Sequence, residues 1–129
     1  MKDLEDFFKK VNKAFERGDM DFLSRHITDD FCWSVVGERN ISMKEGLSEA
    51  LEHIASRPPM IIEITNIIID GKANAVVEGL VTVRNNTGQK KRFGFCDVFK
   101  LADSPEPKIR YMTSYVIDVS KHKRYMEGC

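Results

Sequence analysis

Hydrophobic periodicity changes once along the chain, at the proline pair Pro58-Pro59. Before the prolines, apolar residues recur at the i, i+3, i+4 and i+7 spacing of one face of an α-helix. After them, apolar and polar residues alternate, which is typical of strands with one buried face. Helices followed by a run of strands predict an α+β fold, and the length of 129 residues suits one domain covering residues 1–129.

Three helices are predicted in the first part of the chain. The first ends at Gly18 and has an apolar face made of Leu4, Phe7, Phe8, Val11, Ala14 and Phe15. The second covers residues 20–26 and is capped by Asp19. The third begins with a capping box, a serine at Ser42 with a glutamate three residues later, and continues to about Ala55.

Strands are predicted for most of the remaining chain. One lies between the second and third helices at residues 31–36, after a turn at residues 28–30. Four more follow the prolines, separated by DG, NNTG and ADSPEP turns, at residues 60–70, 73–84, 90–101 and 108–119. We expect a long, strongly bent, mostly antiparallel sheet that forms a cone over the three helices and encloses a pocket for a small apolar molecule. The basic tail, residues 120–129, is predicted to be frayed or a short helix.

Composition narrows the class of partner. Lys+Arg and Asp+Glu each number 20, so the formal net charge is zero and the chain lacks the basic surface that nucleic-acid binding needs. No apolar run reaches the roughly 18 residues of a membrane helix. The N-terminal sequence also lacks the unbroken apolar segment of a signal peptide. We therefore expect a cytoplasmic protein with no nucleic-acid or membrane partner.

Cysteines and histidines give no metal signature. The three cysteines have no CxxC spacing, which favours reduced thiols, with one bridge plus a free thiol as the alternative. The three histidines belong to no His/Asp/Glu cluster with metal-ligand spacing. We predict no metal and no cofactor.

One acidic residue stands on an apolar strand face. Alternation along the strand KRFGFCDVFKL places four side chains on the same side: Phe93, Phe95, Asp97 and Phe99. A buried carboxylate without a partner costs several kcal/mol or takes up a proton. Asp97 is therefore the candidate acid or hydrogen-bond donor to a ligand. The alternative is a structural carboxylate satisfied by neighbouring side chains.

Trp33 is a candidate wall of the same pocket. On the first predicted strand it shares a face with Phe31 and Val35. Its indole N–H is available to a ligand or to Asp97. The alternative is a large side chain that only fills the core.

Local signatures occur in a fixed order along nearly the whole chain: FERGDMDFL at residues 15–23, TDDF at residues 28–31, Trp33, Gly37, DG at residues 70–71, NTG at residues 86–88, FCDVF at residues 95–99 and KI at residues 108–109. This set resembles the nuclear transport factor 2-like superfamily, in its SnoaL-like and ketosteroid-isomerase-like branch. The resemblance implies the cone fold. It also implies a homodimer paired through the outer sheet face, where Tyr115, Val98 and Val83 would add apolar area.

The resemblance also assigns positions in the pocket. Asp97 lies where the ketosteroid isomerases have an oxyanion-hole aspartate. Their tyrosine falls on Val11 and their base on Ser34 or Val35, so that mechanism is not expected here. On the last strand, the resemblance implies a cavity-facing set of Met112, Ser114 and Val116.

Two other chemistries of this superfamily differ in what they require. The Asp-Arg-Asp positions of its epoxide hydrolases fall on Gly79, Val81 and Ser114, which lack the required groups. SnoaL-like cyclases need a pocket aspartate acting on an already stabilised carbanion, and Asp97 can fill that role.

The resemblance therefore implies a SnoaL-like protein that binds a small apolar carbonyl-bearing molecule, with isomerisation or cyclisation as the implied chemistry. If it is an enzyme, we expect an isomerase, cyclase or lyase that acts by acid–base chemistry without metal. The expected ligand contacts are Trp33, Phe95, Phe99, Met112, Ser114 and Val116. The alternative is a noncatalytic ligand-binding or association module in which Asp97 is structural.

Overall fold

The fold was analysed in a computed structural model, which describes residues 2–55, 59–85 and 87–121. The helices of this part are α1 (Lys2–Arg17), α2 (Met20–Arg25) and α3 (Met43–Ala55). The strands are β1 (Ile27–Val35), β2 (Arg39–Ser42), β3 (Met60–Asp70), β4 (Asn74–Arg84), β5 (Lys90–Leu101) and β6 (Ile109–Asp118). The helices therefore come first, and the long strands follow the third helix.

A single mixed sheet holds these strands in the order β2-β1-β6-β5-β4-β3. Strands β1 and β6 pair in parallel, and every other described pair is antiparallel. The sheet is curved but not closed, and the helices pack against it. The predicted α+β architecture and the mostly antiparallel sheet are confirmed.

Helix α1 lies against the inner face of the sheet. Its apolar stripe is buried, with Phe8 and Val11 fully enclosed. Glu16 fastens the helix to the edge strand, because its carboxylate accepts the backbone N–H of Ile62 at 2.8 Å. This bond satisfies a donor that an edge strand would otherwise expose. The helix therefore forms the roof over the sheet face on which the sequence placed the candidate pocket.

The two faces of the sheet differ as the alternation predicted. On β5, Phe95, Asp97 and Phe99 are buried under the helices. On β6, Met112 and Ser114 are buried, while Tyr111 and Tyr115, which flank them, are about half exposed on the outer face. Phe93 is on the inner side by register but is only partly buried, since it lies near the end of the sheet.

Gly79 on β4 makes room for an aromatic wall. A Cβ atom at this position would overlap the ring of Phe95 and the backbone carbonyl oxygen of Glu63. The neighbouring strand carries a register shift between Ile64 and Asn66, opposite Gly79. Such irregularities bend a strand and redirect its side chains. The glycine lets the Phe95 ring lie across β4 on the inner face.

Three local predictions need correction. Residues 28–30, expected to be a turn, belong to the beginning of β1, in a segment where the β1–β6 register is irregular between Ile27 and Cys32. Strand β2 was not anticipated, since it is short and only Ile41 within it is buried. Ser42, predicted to cap the third helix, is the last residue of that strand, and its hydroxyl lies 3.8 Å from the sulfur of Cys32. The prediction for the tail falls mostly on residues 122–129, outside the described residues.

Candidate functional site

Asp97 accepts the last hydrogen bond of a chain that crosses three strands. The β5–β6 register places Asp97 opposite Ser114, and β1 lies on the other side of β6 with Trp33 beside Met112. The Ser114 hydroxyl donates to Asp97 Oδ1 at 2.6 Å. The indole Nε1–H of Trp33 donates in turn to Ser114 Oγ at 2.8 Å. The donors run in one direction, from the indole to the hydroxyl and from the hydroxyl to the carboxylate, so the chain stabilises the charged form of Asp97.

Two opposing effects set the pKa of Asp97. Burial disfavours the charged carboxylate and raises its pKa, whereas the Ser114 hydrogen bond lowers it. Burial wins, and the pKa rises from 3.8 to about 6. Asp97 is therefore mainly a carboxylate at neutral pH but gains a proton readily just below it. A group with this pKa can both accept and return a proton under physiological conditions.

A cavity of about 190 Å³ opens in front of this carboxylate. Its wall is mostly apolar and comes from α1 and from strands β1, β3, β4, β5 and β6, with the residues Asn12, Phe15, Trp33, Val35, Met60, Ile62, Val81, Phe95, Asp97, Met112, Ser114 and Val116. Among the described residues that line it, Asp97 is the one ionisable side chain. Such an apolar cavity with a few convergent polar groups is the usual form of a small-molecule site.

The structure brings together most of the residues that the sequence nominated. Asp97, Trp33 and Ser114 form the polar end, and Phe95, Met112 and Val116 lie in the surrounding wall. Phe99 is the exception, because its ring is fully buried and packs on Phe8 with 4.8 Å between ring centroids. It belongs to the core beneath the cavity. The indole N–H of Trp33 reaches Asp97 only through Ser114.

Asn12 is a cavity residue that the sequence reasoning missed. It lies on α1 and is 7% exposed, and its Nδ2 donates to the Phe8 carbonyl oxygen at 2.9 Å. A signal was present, since Asn12 is four residues after Phe8 and three before Phe15, within the apolar stripe. A buried amide at such a position needs a partner or a use.

A second depression lies away from Asp97. Its volume is about 350 Å³, and it is lined by Arg39, Asn40, Ile41, Ser42, Gly46, Glu49, Ala50 and His53. Although it is larger, most of these side chains are exposed and it holds charges of both signs. His53 lies in this depression. We assign the chemistry to the smaller cavity because its polar groups are buried.

Positions that the family chemistries would require can now be located. Val11 is fully buried in the core, while Val35 and Val81 line the cavity with apolar side chains. Within the described residues, no group of three His, Cys, Asp or Glu side chains could hold a metal ion. The same part of the chain contains no helix that is long and apolar enough to cross a membrane.

Comparisons with known proteins agree with this architecture. A family model described as a SnoaL-like domain matches residues 5–110. A nuclear transport factor 2-like protein of unknown function from Cytophaga hutchinsonii superposes with a TM-score of 0.68 at 18% identity, covering 85% of this chain and 96% of that one. No curated protein sequence matches the chain.

Two similar structures are of enzymes. An epoxide hydrolase/cyclase-like enzyme, SalBIII, with a role in pyran ring formation in the polyether salinomycin, gives a TM-score of 0.72 at 19% identity over 93% of this chain and 97% of its own. An epoxide hydrolase from Mycobacterium tuberculosis gives 0.68 at 22% identity over 81% and 75%. At these identities the similarity shows the fold, and function has to be argued from the site.

Proposed function

Because this chain belongs to the SnoaL-like domain family, we propose that it binds a small, largely apolar, carbonyl-bearing molecule in the Asp97 cavity and catalyses proton transfer on it. The observation that carries the proposal is a buried carboxylate, with a pKa of about 6, at the polar end of an apolar cavity. Isomerisation or cyclisation is the reaction class that such a group supports without a metal.

Proton transfer would use the oxygen of Asp97 that Ser114 does not engage. The carboxylate Oδ2 takes a proton from the carbon next to the ligand carbonyl, so an O–H bond forms as the C–H bond breaks. The electron pair moves onto the carbonyl oxygen and gives an enolate. Asp97 then returns the proton to another carbon of a conjugated enolate, or the enolate carbon attacks a second carbonyl of the ligand to close a ring and Asp97 gives its proton to the alkoxide oxygen that forms. Either outcome regenerates the carboxylate.

Ser114 and Trp33 act as positioning residues in this scheme. The Ser114 hydroxyl fixes Oδ1 at 2.6 Å, and the Trp33 indole fixes the hydroxyl at 2.8 Å. The carboxylate plane is thereby held with its other oxygen free to face the cavity. Aligning a base before the ligand arrives lowers the entropy cost of the proton transfer.

The test compares wild type with Asp97→Asn, using Asp103→Asn as the control because Asp103 is an exposed acid in the β5–β6 connection. Phenylacetone, a small ketone, serves as the probe in D2O, and NMR follows deuterium uptake at the carbons next to its carbonyl. We expect wild type and Asp103→Asn to accelerate uptake and Asp97→Asn to fall to the background rate. If all three proteins stay at background and ketones fail to raise the melting temperature, the noncatalytic alternative stands.

We also propose that the protein forms a homodimer through the outer sheet face. The exposed face of β6 presents Tyr111, Tyr115 and Ile117, of which Ile117 is 67% exposed. Exposed aromatic and apolar side chains on one face are typical of protein interfaces. Sedimentation equilibrium at micromolar concentration should show a dimer for wild type and a monomer for Ile117→Lys. A monomeric wild type overturns this proposal.

The cytoplasmic location stays a prediction from sequence.

A further inference from the structure

We infer that the cavity takes a molecule of about one ring and that Asn12 holds the carbonyl oxygen of that molecule; this inference rests on the proposed function of Asp97. It therefore names both a size class of ligand and a second polar contact that determines specificity. Three features of the cavity carry it: the volume, the hydrogen bonds already made within the wall, and the fixed orientation of the Asn12 amide.

Volume limits the ligand. The cavity holds about 190 Å³, whereas sites for drug-sized molecules span roughly 300–1,000 Å³. A cavity of about 150 Å³ in another protein accommodates benzene. One ring with a short side chain therefore fits inside the cavity, and most of a fused four-ring skeleton would extend beyond it. The wall has little freedom on its inner side, because Phe95 and Met112 are both buried.

Most polar groups in the wall are already used. Trp33 has one donor, which goes to Ser114, and the Ser114 hydroxyl has one donor, which goes to Asp97. A neutral ligand carbonyl needs a donor. Among the described side chains of the wall, the second N–H of the Asn12 amide is the donor that remains when Asp97 is a carboxylate.

The Asn12 amide is oriented before a ligand binds. One N–H is held by the Phe8 carbonyl oxygen at 2.9 Å, one helical turn away, which fixes the plane of the amide. The neighbouring turns of α1 are anchored by Phe8 and Phe15, which are buried. A donor held in place by its surroundings binds a ligand oxygen without losing side-chain freedom, and this favours recognition.

Asn12 and Asp97 then have separate roles toward the ligand. Asn12 donates to the carbonyl oxygen, and the Asp97 carboxylate faces the neighbouring C–H group. As negative charge develops on that oxygen, the Asn12 hydrogen bond strengthens, which is the effect expected of an oxyanion donor. The described residues of this wall disfavour anionic ligands, because they include the Asp97 carboxylate and no cationic side chain.

The experiment measures Kd by NMR titration for three probes: phenylacetone, isobutylbenzene, which replaces the carbonyl by an apolar group, and progesterone, a four-ring ketone. We expect wild type to bind phenylacetone at least tenfold more tightly than either other probe. Asn12→Leu keeps the size of the side chain and should weaken phenylacetone binding about tenfold while leaving isobutylbenzene within about twofold. Lys9→Leu, at an exposed position on the same helix, is the control and should change neither value.

Three results would overturn the inference: progesterone binding as tightly as phenylacetone, phenylacetone and isobutylbenzene binding equally to wild type, or Asn12→Leu keeping the wild-type Kd for phenylacetone. The first two comparisons use only wild type, so they hold even where Asn12→Leu does not fold. Should Asp97→Asn abolish deuterium exchange while Asn12→Leu binds normally, the Asn12 inference fails and the proposed function stands. Should exchange be insensitive to Asp97→Asn, the proposed function itself fails.

Discussion

The inner face of β5 has two ends that follow the same alternation but differ in what covers them. At one end, Phe99 packs on Phe8 of α1 and is fully buried. Toward the other end, beginning two residues earlier, Asp97 and Phe95 face a cavity of about 190 Å³, and α1 contributes Asn12, one turn after Phe8, to its wall together with Phe15. The strand pattern alone does not distinguish these ends. The α1 residue that lies over each part of the strand decides whether the space above it is filled by a side chain or stays open.

The two parts of the strand differ in what burial contributes to the free energy of unfolding. The filled end buries aromatic surface, which stabilises the fold. The open end keeps a raised-pKa carboxylate in an apolar setting, which costs stability and is useful only if a ligand or a proton is handled there. Substitutions at Phe99 and at Asp97 should therefore change the free energy of unfolding in opposite directions.

Phe99→Ala should give the largest effect. Truncating a fully buried phenylalanine removes its apolar contacts and leaves a cavity, which typically costs about 3–5 kcal/mol of the free energy of unfolding. Urea denaturation measures the loss, and Lys100→Ala on the exposed side of the same strand is the control. A loss below about 1 kcal/mol would mean that Phe99 is not part of a tightly packed core.

Asp97→Asn should stabilise the protein at alkaline pH. The folded pKa of about 6 lies above the reference of 3.8, so above pH 6 the folded state carries a charge that burial disfavours. Asparagine removes that charge and can still accept the Ser114 hydrogen bond, so we expect a gain of up to about 3 kcal/mol at pH 8. The gain should shrink toward pH 4. A variant that is less stable than wild type at pH 8 would instead make Asp97 a structural carboxylate.

The pH dependence of wild type should follow from the same shift. Between the unfolded and folded pKa values the native state binds more protons than the unfolded state, so stability falls as pH rises through this window. We expect a loss of about 1–2 kcal/mol in the free energy of unfolding between pH 5 and pH 8. Urea titrations at the two pH values measure it, and the loss should be absent from Asp97→Asn. An equal slope in both proteins would assign it to other groups.

The sequence predicted the fold well because the signals were local. Helical spacing identified the buried stripe of α1, and period-two alternation gave β3 and β5 with the bounds observed. Strand β2 was missed because it is short and its pairing with β1 is decided by tertiary contacts, and residues 28–30 were missed because they are polar and lie where the β1–β6 register shifts.

The candidate site was predicted only in part. The placement of Asp97 among phenylalanines indicated a buried acid, and Ser114, which the resemblance placed on the cavity face, is bonded to it. The prediction of Phe99 as a ligand contact and the omission of Asn12 have the same physical cause. Alternation shows which face a side chain occupies, but whether a helix residue fills the space above it depends on how the helix packs across the sheet.

The smallest effects concern the hydrogen-bonded chain at the open end. Ser114→Ala removes the bond that lowers the pKa of Asp97, so this pKa should rise above its wild-type value of about 6. Trp33→Phe leaves the Ser114 bond in place and removes only the donor behind it, so its effect on the pKa should have the same direction and be smaller. Each hydrogen bond is worth about 0.5–1.5 kcal/mol, which limits the expected pKa changes to about one unit. Carbon-13 NMR titration of the Asp97 carboxyl measures them. If Trp33→Phe shifts this pKa as far as Ser114→Ala does, then the indole contributes to the carboxylate environment through more than the Ser114 hydroxyl.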